Sequence, residues 1–474
     1  MLKQKYIGFY LITFSAVVLL VLPWLISDGM FMDGQQYACV AMNMAAGKGN
    51  FWFPVFTEIG VGGYSTFHEQ APLMFGLQSL FFKVLGNGFL TERIYGFCML
   101  IVTILLMFKI SKLLIKLKLI DKFYAFLPVL LWIIVPVVHW SFANNVVEIT
   151  MGVFILLSFI FILKGTVEKS RKYLWLILAG INIFLASFTK GLPGIFVITV
   201  PFLFWFVFKN ESFTKMLIKT LVPIFVLVLC YVVILLFPEA RESMHIHWVT
   251  RVFDRIKSDP VVNYRAAVFI SLITELLPLY LPVLFVLVMF FLKRKLTVLK
   301  KYSKLSLFFL LVGFSGSLPL MLTLVQRNFY YLGAIPFFAF SAAIVINPVI
   351  KSFIESNIFN KMQKYFNVIT LCVFLASIVF SLSFYKKALR DKDILEDVYT
   401  IGDLVGKDSK IRTSGDILFN DWSFRCYLLR YYNIELVNYP PTDYHLYNKS
   451  DSITLSSLHV IECDLNNYTI YLDN

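Results

Sequence analysis

Eleven apolar runs, each long enough to cross a bilayer core of roughly 20 helical residues, recur along the chain at 6–26, 92–110, 123–141, 147–163, 173–189, 191–208, 219–237, 266–292, 305–322, 329–348 and 366–385. Such a pattern predicts a bundle of membrane-spanning helices. Composition agrees: 59% of the 474 residues are hydrophobic and 15% charged, with a mean hydropathy of +0.76, too apolar for a domain whose whole surface must face water. A water-soluble enzyme, a disordered chain and a fibrous repeat are thereby excluded. The first run follows Lys3 and Lys5 with no small-residue cleavage pattern after it, so it reads as an anchor and not as a signal peptide.

The net charge of +14 has three candidate meanings: nucleic acid, anionic lipid or topology. Placing the N-terminus in the cytoplasm puts 23 of the 43 Lys and Arg residues into short connections on that same side. The positive-inside rule counts such positions, so the excess is topological. A nucleic-acid partner is not expected, because its charges would have to share one face of a folded domain. An odd number of spans then puts the C-terminus outside. The six cysteines show no CxxC spacing, which indicates neither a zinc knuckle nor a disulfide framework; only Cys426 and Cys463 are candidates to pair.

Three segments depart from short loops. The first outer connection, 27–91, mixes Gly60, Gly62 and Gly63 with helical stretches at 35–46 and 71–85, and its Phe51, Trp52, Phe53, Phe56 and Tyr64 suit the membrane interface. Loop 238–265 is rich in Arg and His. The tail, 386–474, carries ten basic and fourteen acidic residues. Its helix-like 421–433 and strand-like 434–438 predict a small soluble α/β domain after a transmembrane domain spanning 1–385. Nothing in the tail forms a catalytic constellation, so a packing or acceptor-binding appendage is its expected role.

Ionisable groups at span ends are the first candidates for chemistry, because charge at membrane depth is costly. Asp33 precedes the stretch 35–46, as a helix N-cap or as a reactive carboxylate. Glu69 precedes Pro72, which opens the next apolar helix, and would complement its dipole or act as a second acid. Among the cations Arg93, Lys190, Arg241, Arg251, Arg255 and Arg327, Lys190 either snorkels or lines a headgroup pocket, and Arg327 suits bidentate phosphate binding. Arg251 and Arg255, four apart, would share a helix face and grip phosphate together, or form an exposed basic face. Glu275 lies inside a span and needs a partner or a proton. His245 and His247, beside Trp248, make too weak a ligand pair for a metal site; no metal and no cofactor is expected.

The order of three elements in the first outer loop is more specific than any of them. Asp33-Gly34-x-x-Tyr37, the turn Gly47-Lys48-Gly49-Asn50-Phe51-Trp52, and Glu69-x-x-Pro72-Leu73 resemble the first outer loop of polyprenyl-phosphate-sugar-dependent glycosyltransferases. The resemblance is to glycosyltransferase family 39 and its relatives, the protein mannosyltransferases and the lipid A aminoarabinose transferases, all of the GT-C membrane fold. Thr189-Lys190-Gly191-Leu192-Pro193 and Arg327-Asn328-Phe329-Tyr330-Tyr331-Leu332 with Pro336 resemble two later segments of that family. The resemblance implies an all-α polytopic GT-C domain over most of 1–345, with Asp33 as catalytic acid/base and Glu69 as the loop's second acid. It also implies that Tyr37, His68, Glu148, Lys190, Arg327 and Tyr330 contact substrate, and the spacing of Arg251 and Arg255 adds those two to the expected substrate contacts. The chain departs from both named types, with Gln70-Ala71 where aminoarabinose transferases carry Lys-Pro and Asp33-Gly34 where mannosyltransferases carry Asp-Glu.

The chemistry is consistent with so few groups. A polyprenyl phosphate sugar already carries a good leaving group, so a base for the incoming hydroxyl and cations for the departing phosphate suffice, and attack from the opposite face inverts the anomeric centre. The implied partners are a polyprenyl-phosphate sugar donor, a glycolipid, glycan or protein acceptor in the cell envelope, and membrane lipids. The implied location is a bacterial inner membrane with the site outside. The alternative is a transporter or lipid flippase, which would instead place ionisable groups near mid-membrane in paired halves.

Overall fold

The computed structural model describes residues 4–61, 65–168, 170–249, 261–292, 300–439, 442–450 and 458–473. Helices run in the order α1 (Ile7–Ile26), α2 (Met32–Ala45), α3 (Leu73–Leu85), α4 (Thr91–Lys116), α5 (Phe126–Ile133), α6 (Pro136–Ala143), α7 (Glu148–Val167), α8 (Lys172–Lys190) and α9 (Val200–Phe208). They continue as α10 (Phe213–Leu235), α11 (Pro238–His247), α12 (Ala267–Leu292), α13 (Ser303–Ser317), α14 (Ile335–Ile354) and α15 (Asn357–Leu382). The tail holds α16 (Lys392–Val405), β1 (Lys410–Thr413), α17 (Gly415–Asn420), α18 (Trp422–Tyr432), β2 (Glu435–Val437), β3 (Tyr444–Asn448), β4 (Leu458–Val460) and β5 (Tyr468–Asp473).

Among the described residues, nine helices are long and apolar enough to span, fewer than the eleven runs expected, and proline chemistry accounts for both differences. The run 123–141 becomes α5 and α6, bent by 80° where Pro136 opens α6, because proline cannot donate the hydrogen bond that would continue a helix. The Glu275 carboxylate accepts the Val137 N–H there at 2.8 Å, so this in-span acid satisfies an open helix start. The run 191–208 breaks at Gly191 and Pro193 into two 3-10 turns before α9, and Leu192–Phe208 is left short of a full span. The centre of the bundle is the stretch 328–354, almost wholly buried, whose Phe337 and Phe340 pack on Phe309.

The long connection 27–91 folds inward rather than lying open. Asn43 Nδ2 donates to the carbonyls of Val55 and Phe56 at 3.2 and 2.8 Å, and Trp52 packs on Phe188. Phe56, expected at the interface, is instead fully buried with the Arg425 guanidinium 5.1 Å from its ring; its neighbour Thr57 accepts a hydrogen bond from that same guanidinium. Tyr64, Gly62 and Gly63 lie outside the described residues.

The tail forms a five-stranded sheet in the order β2-β1-β3-β5-β4. Its β1 is parallel to β2 and β3, while β5 is antiparallel to β3 and β4. Two helices, α16 and α18, cover it, and a separate apolar core forms around Ile411, Leu428, Leu436 and Leu446. Helix α18 starts where the sequence suggests, with the Asp421 carboxylate accepting the Phe424 N–H at 3.2 Å as an N-cap. The expected pairing of Cys426 with Cys463 does not form; both are free. Helix α18 turns Cys426 into the membrane domain's core, where Cys39 Sγ lies 3.5 Å from its carbonyl, whereas Cys463 packs on the sheet's own core.

Two buried polar clusters fasten the tail to the span ends. Arg430 of α18 donates to Glu92 of α4 through Nη2 at 2.6 Å and Nε at 3.1 Å, and Arg93 donates to the same carboxylate at 2.5 Å. Asp28, just past α1, accepts from Tyr431 at 2.7 Å and from Tyr399.

Candidate functional site

Helix α2 begins at Met32 with Phe31 as its N-cap and no side-chain cap bond, so Asp33 stands in the first turn rather than at the capping position. Its carboxylate, half-buried, lines a cavity of about 240 Å³ with Met32, Gln36, Val61, Glu69, Trp422 and Cys426. The two expected acids, 36 positions apart in sequence, thus share one chamber. Glycine at 34 has a steric cause: a Cβ there would meet the Asn144 carbonyl oxygen at 2.1 Å. The contact is reinforced by Asn145 Nδ2, which donates to the Gly34 carbonyl at 3.0 Å, and by the Phe31 N–H, which donates to Asn144 Oδ1 at 2.8 Å. These bonds fix the start of α2, and with it Asp33, against the α6–α7 corner.

A second cluster adjoins the first. Glu148 and Lys190, at facing ends of α7 and α8, form an ion pair whose side chains are 0% and 6% exposed. The Lys190 ammonium also lies 4.3 Å from the Tyr330 ring centre and 5.5 Å from that of Phe329, a cation–π arrangement. Phe329 stacks on Trp140, and Phe31 packs against both. Tyr37 joins the clusters: burial, then the neighbouring carboxylates of Asp33 and Glu148 and the Tyr330 phenol, push its hydroxyl well above its ordinary range. That hydroxyl stays protonated and accepts from Gln70 at 3.4 Å. The sequence-expected Asp33, Glu69, Tyr37, Glu148, Lys190 and Tyr330 therefore lie in two adjoining clusters at one end of the bundle.

Other expected residues lie elsewhere. Arg327 is exposed at the start of the 3-10 turn Asn328–Ala334. Arg93 belongs to the buried Glu92 cluster and Arg241 is exposed. Arg251 and Arg255 lie outside the described residues. His68 is 6% exposed and makes loop contacts: Nε2 with Thr66 Oγ1 at 2.8 Å, Nδ1 with Ser243 Oγ at 3.5 Å, and its carbonyl with His247 Nδ1 at 2.8 Å. Burial, then the nearby His247, pulls its imidazole down to about 4.

That depression has a testable sign. Between about 4 and the unfolded imidazole's ordinary value near 6.5, the unfolded chain holds a proton that the folded one excludes, so stability falls as pH drops through this window and is unaffected above it. Thermal melts in detergent at pH 7 and pH 5 are expected to show a larger loss for the native chain than for His68→Gln.

Sequence reasoning missed the cavity's other wall. Trp422 and Cys426 come from the tail and reach the Asp33 chamber because α18 packs on α2. Their spacing of four, on one helix face, was visible; the face they meet was not.

An all-α polytopic bundle whose long first connection folds back over the span ends beneath a small α/β tail is the GT-C architecture that the sequence resemblance implies. Solved structures agree. The fold is similar to that of ArnT from Cupriavidus metallidurans bound to undecaprenyl phosphate, with a TM-score of 0.65, 11% identity and 96% of each chain covered, and to the same enzyme's apo state at 0.64, 12% identity and 97% of each chain. It is also similar to the apo oligosaccharyltransferase of Archaeoglobus fulgidus at 0.52 and 13% identity, over 92% of this chain and 65% of that one. By sequence, no family model and no curated protein matches.

Proposed function

We propose that the chain is an integral-membrane glycosyltransferase that moves a sugar from a polyprenyl-phosphate donor to an acceptor outside the cytoplasm, with inversion. The observation that carries this reading is the shared chamber of Asp33 and Glu69 beside the Lys190–Glu148 pair. Support for the donor class comes from the fold's similarity to a protein crystallised with undecaprenyl phosphate.

Asp33 is the base that takes the acceptor proton. Glu69, facing the same space, orients the acceptor or the sugar. Lys190 receives the leaving phosphate through an ammonium that stays paired with Glu148. Glu148 holds that cation in place and desolvated beforehand, which removes a reorganisation cost from the chemical step. Arg327, exposed three residues before Tyr330, is the further cation assigned to the phosphate. The positive-inside pattern of the sequence supports an extracytoplasmic location for this end of the bundle.

The test is consumption of undecaprenyl-phosphate-linked sugar by the purified chain in detergent, offered lipid, glycan and peptide hydroxyl acceptors. Time-dependent loss of the lipid-linked sugar with release of undecaprenyl phosphate is expected. Lys190→Ala is expected to lower the rate about 10²-fold, the scale of one lost oxyanion donor. Binding of the donor without turnover against every acceptor class would instead favour a carrier.

A further inference from the structure

Two side chains on the wall of the Asp33 chamber have no role in the sugar transfer described so far. Gln36 stands three residues after Asp33 on α2, a spacing that puts both on one helix face, and it lines the same cavity. It is 8% exposed, yet its side-chain amide has no hydrogen-bond partner among the described residues. Buried amides are almost always answered by protein or by water, so an unanswered one at a cavity wall marks a place where a ligand supplies the bond. Trp422 of α18 lines the cavity too. Arg425, itself 1% exposed, backs the indole with its guanidinium 5.5 Å from a ring centre. Trp422 stays partly exposed, and its indole N–H has no partner among the described residues.

The chemistry of inversion says which substrate meets these groups. Incoming oxygen and departing phosphate lie on opposite sides of the anomeric carbon, so a residue that borders the base without bordering the phosphate's cation stands on the acceptor side. Lys190 and Tyr330 are not among the cavity's described lining residues, whereas Gln36, Glu69 and Trp422 are, together with Asp33. The acceptor side thus offers two carboxylates that accept hydrogen bonds, an amide that both donates and accepts, and an indole with one N–H to give. A sugar ring answers all of them at once: its neighbouring hydroxyls each donate and accept, and its C–H groups suit the electron-rich face of an indole. A phosphate nucleophile would bring negative charge against two carboxylates. A lone serine or threonine hydroxyl would leave the amide and the indole unmet. The volume of about 240 Å³, below the roughly 300–1,000 Å³ of drug-sized ligand sites, holds one ring rather than an extended segment.

We propose that this chamber is the acceptor subsite and takes the terminal ring of a neutral carbohydrate, with Gln36 hydrogen-bonded to adjacent hydroxyls and Trp422 packed on the ring. The assignment rests on the sugar-transfer reading, because that reading makes Asp33 the base and so sets the side on which the acceptor enters. Gln36 and Trp422 are then the residues that choose the acceptor, and α18 gives the tail a direct contact with substrate.

The test is saturation-transfer NMR of the intact chain in a detergent without a sugar headgroup. The probes are the methyl glycosides of glucose, galactose and N-acetylglucosamine, set against glucose 6-phosphate and a serine tripeptide. Saturation of the ring C–H protons of at least one neutral glycoside is expected, with weaker signals from the phosphate and the peptide. Gln36→Met, which keeps the side chain's length and removes its amide, is expected to raise the dissociation constant about tenfold, the scale of one hydrogen bond. Trp422→Ala is expected to do at least as much, and Trp422→Phe, which keeps an aromatic ring, to do less. Should Trp422→Ala melt well below the native chain, Gln36→Met decides alone. Absence of signal from every neutral glycoside, preference for the phosphate or the peptide, or unchanged binding in Gln36→Met overturns the inference. Failure of the sugar-transfer reading shows elsewhere: a chain that binds neutral glycosides through Gln36 but consumes no lipid-linked sugar keeps its carbohydrate site and loses Asp33 as a base.

Discussion

Asp33→Asn is expected to lower sugar transfer by about 10²–10⁴-fold, the usual contribution of a positioned base, while leaving expression, membrane insertion and thermal stability close to native. The separation of effects follows from where the residue stands. Asp33 is half-buried in the first turn of α2, and the start of that helix is anchored by the Phe31 N–H to Asn144 and by Asn145 to the Gly34 carbonyl. Asparagine preserves the shape and keeps a hydrogen-bonding carbonyl, while the negative charge and the ability to accept a proton are lost. Some loss of helix-dipole interaction accompanies the change, about 0.3–1 kcal/mol at an acid in a first turn, too little to unfold the chain. Single-turnover loss of lipid-linked sugar measures the chemical step and a detergent melt measures the fold. Retained transfer would reject Asp33 as the base, and Glu69, on the same chamber, would take its place as the candidate.

The apolar runs and their flanking charges were legible because a bilayer imposes a single length and sidedness on each span. Asp33, Glu69, Lys190 and Glu148 were legible for a related reason: ionisable groups at span ends are few, and each stood beside a helix start or break. What could not be read was contact between distant segments. Trp422 and Cys426 reach the Asp33 chamber, and Arg430 reaches Glu92, across more than 300 positions of sequence. No local periodicity encodes such a meeting. Glu275 was legible only as an anomaly; its partner is the amide of Val137, freed by a proline bend that hydropathy alone cannot see. His68 shows the converse, a residue carried into the site by a motif but held in the structure by Thr66 of its own loop and by His247 of α11.

The largest stability effect is expected at the clamp, and the three charges there rank the variants. Glu92, Arg93 and Arg430 have side chains no more than 1% exposed, so removing one partner leaves an uncompensated charge in a place water does not reach. Such truncations cost about 3–5 kcal/mol. Arg430→Met leaves Glu92 still paired with Arg93, whereas Glu92→Gln strands two guanidinium groups together, so the glutamine variant is expected to be the less stable of the two. The exposed pair of Lys301 with Asp121, at 2.5 Å, is the control: despite its short distance Lys301→Ala is expected to leave the melt unchanged, since water screens and replaces it. The consequence for function runs through one helix, because α18 carries Arg430 at one end and Trp422 and Cys426 of the Asp33 chamber toward the other. If the tail serves only as a cover, loosening it should expose it to protease without changing transfer by the molecules that remain folded. If α18 completes the reactive chamber, Arg430→Met should lower transfer per folded molecule as well, and a parallel loss in Trp422→Ala, which leaves the clamp intact, would locate that effect in the chamber wall.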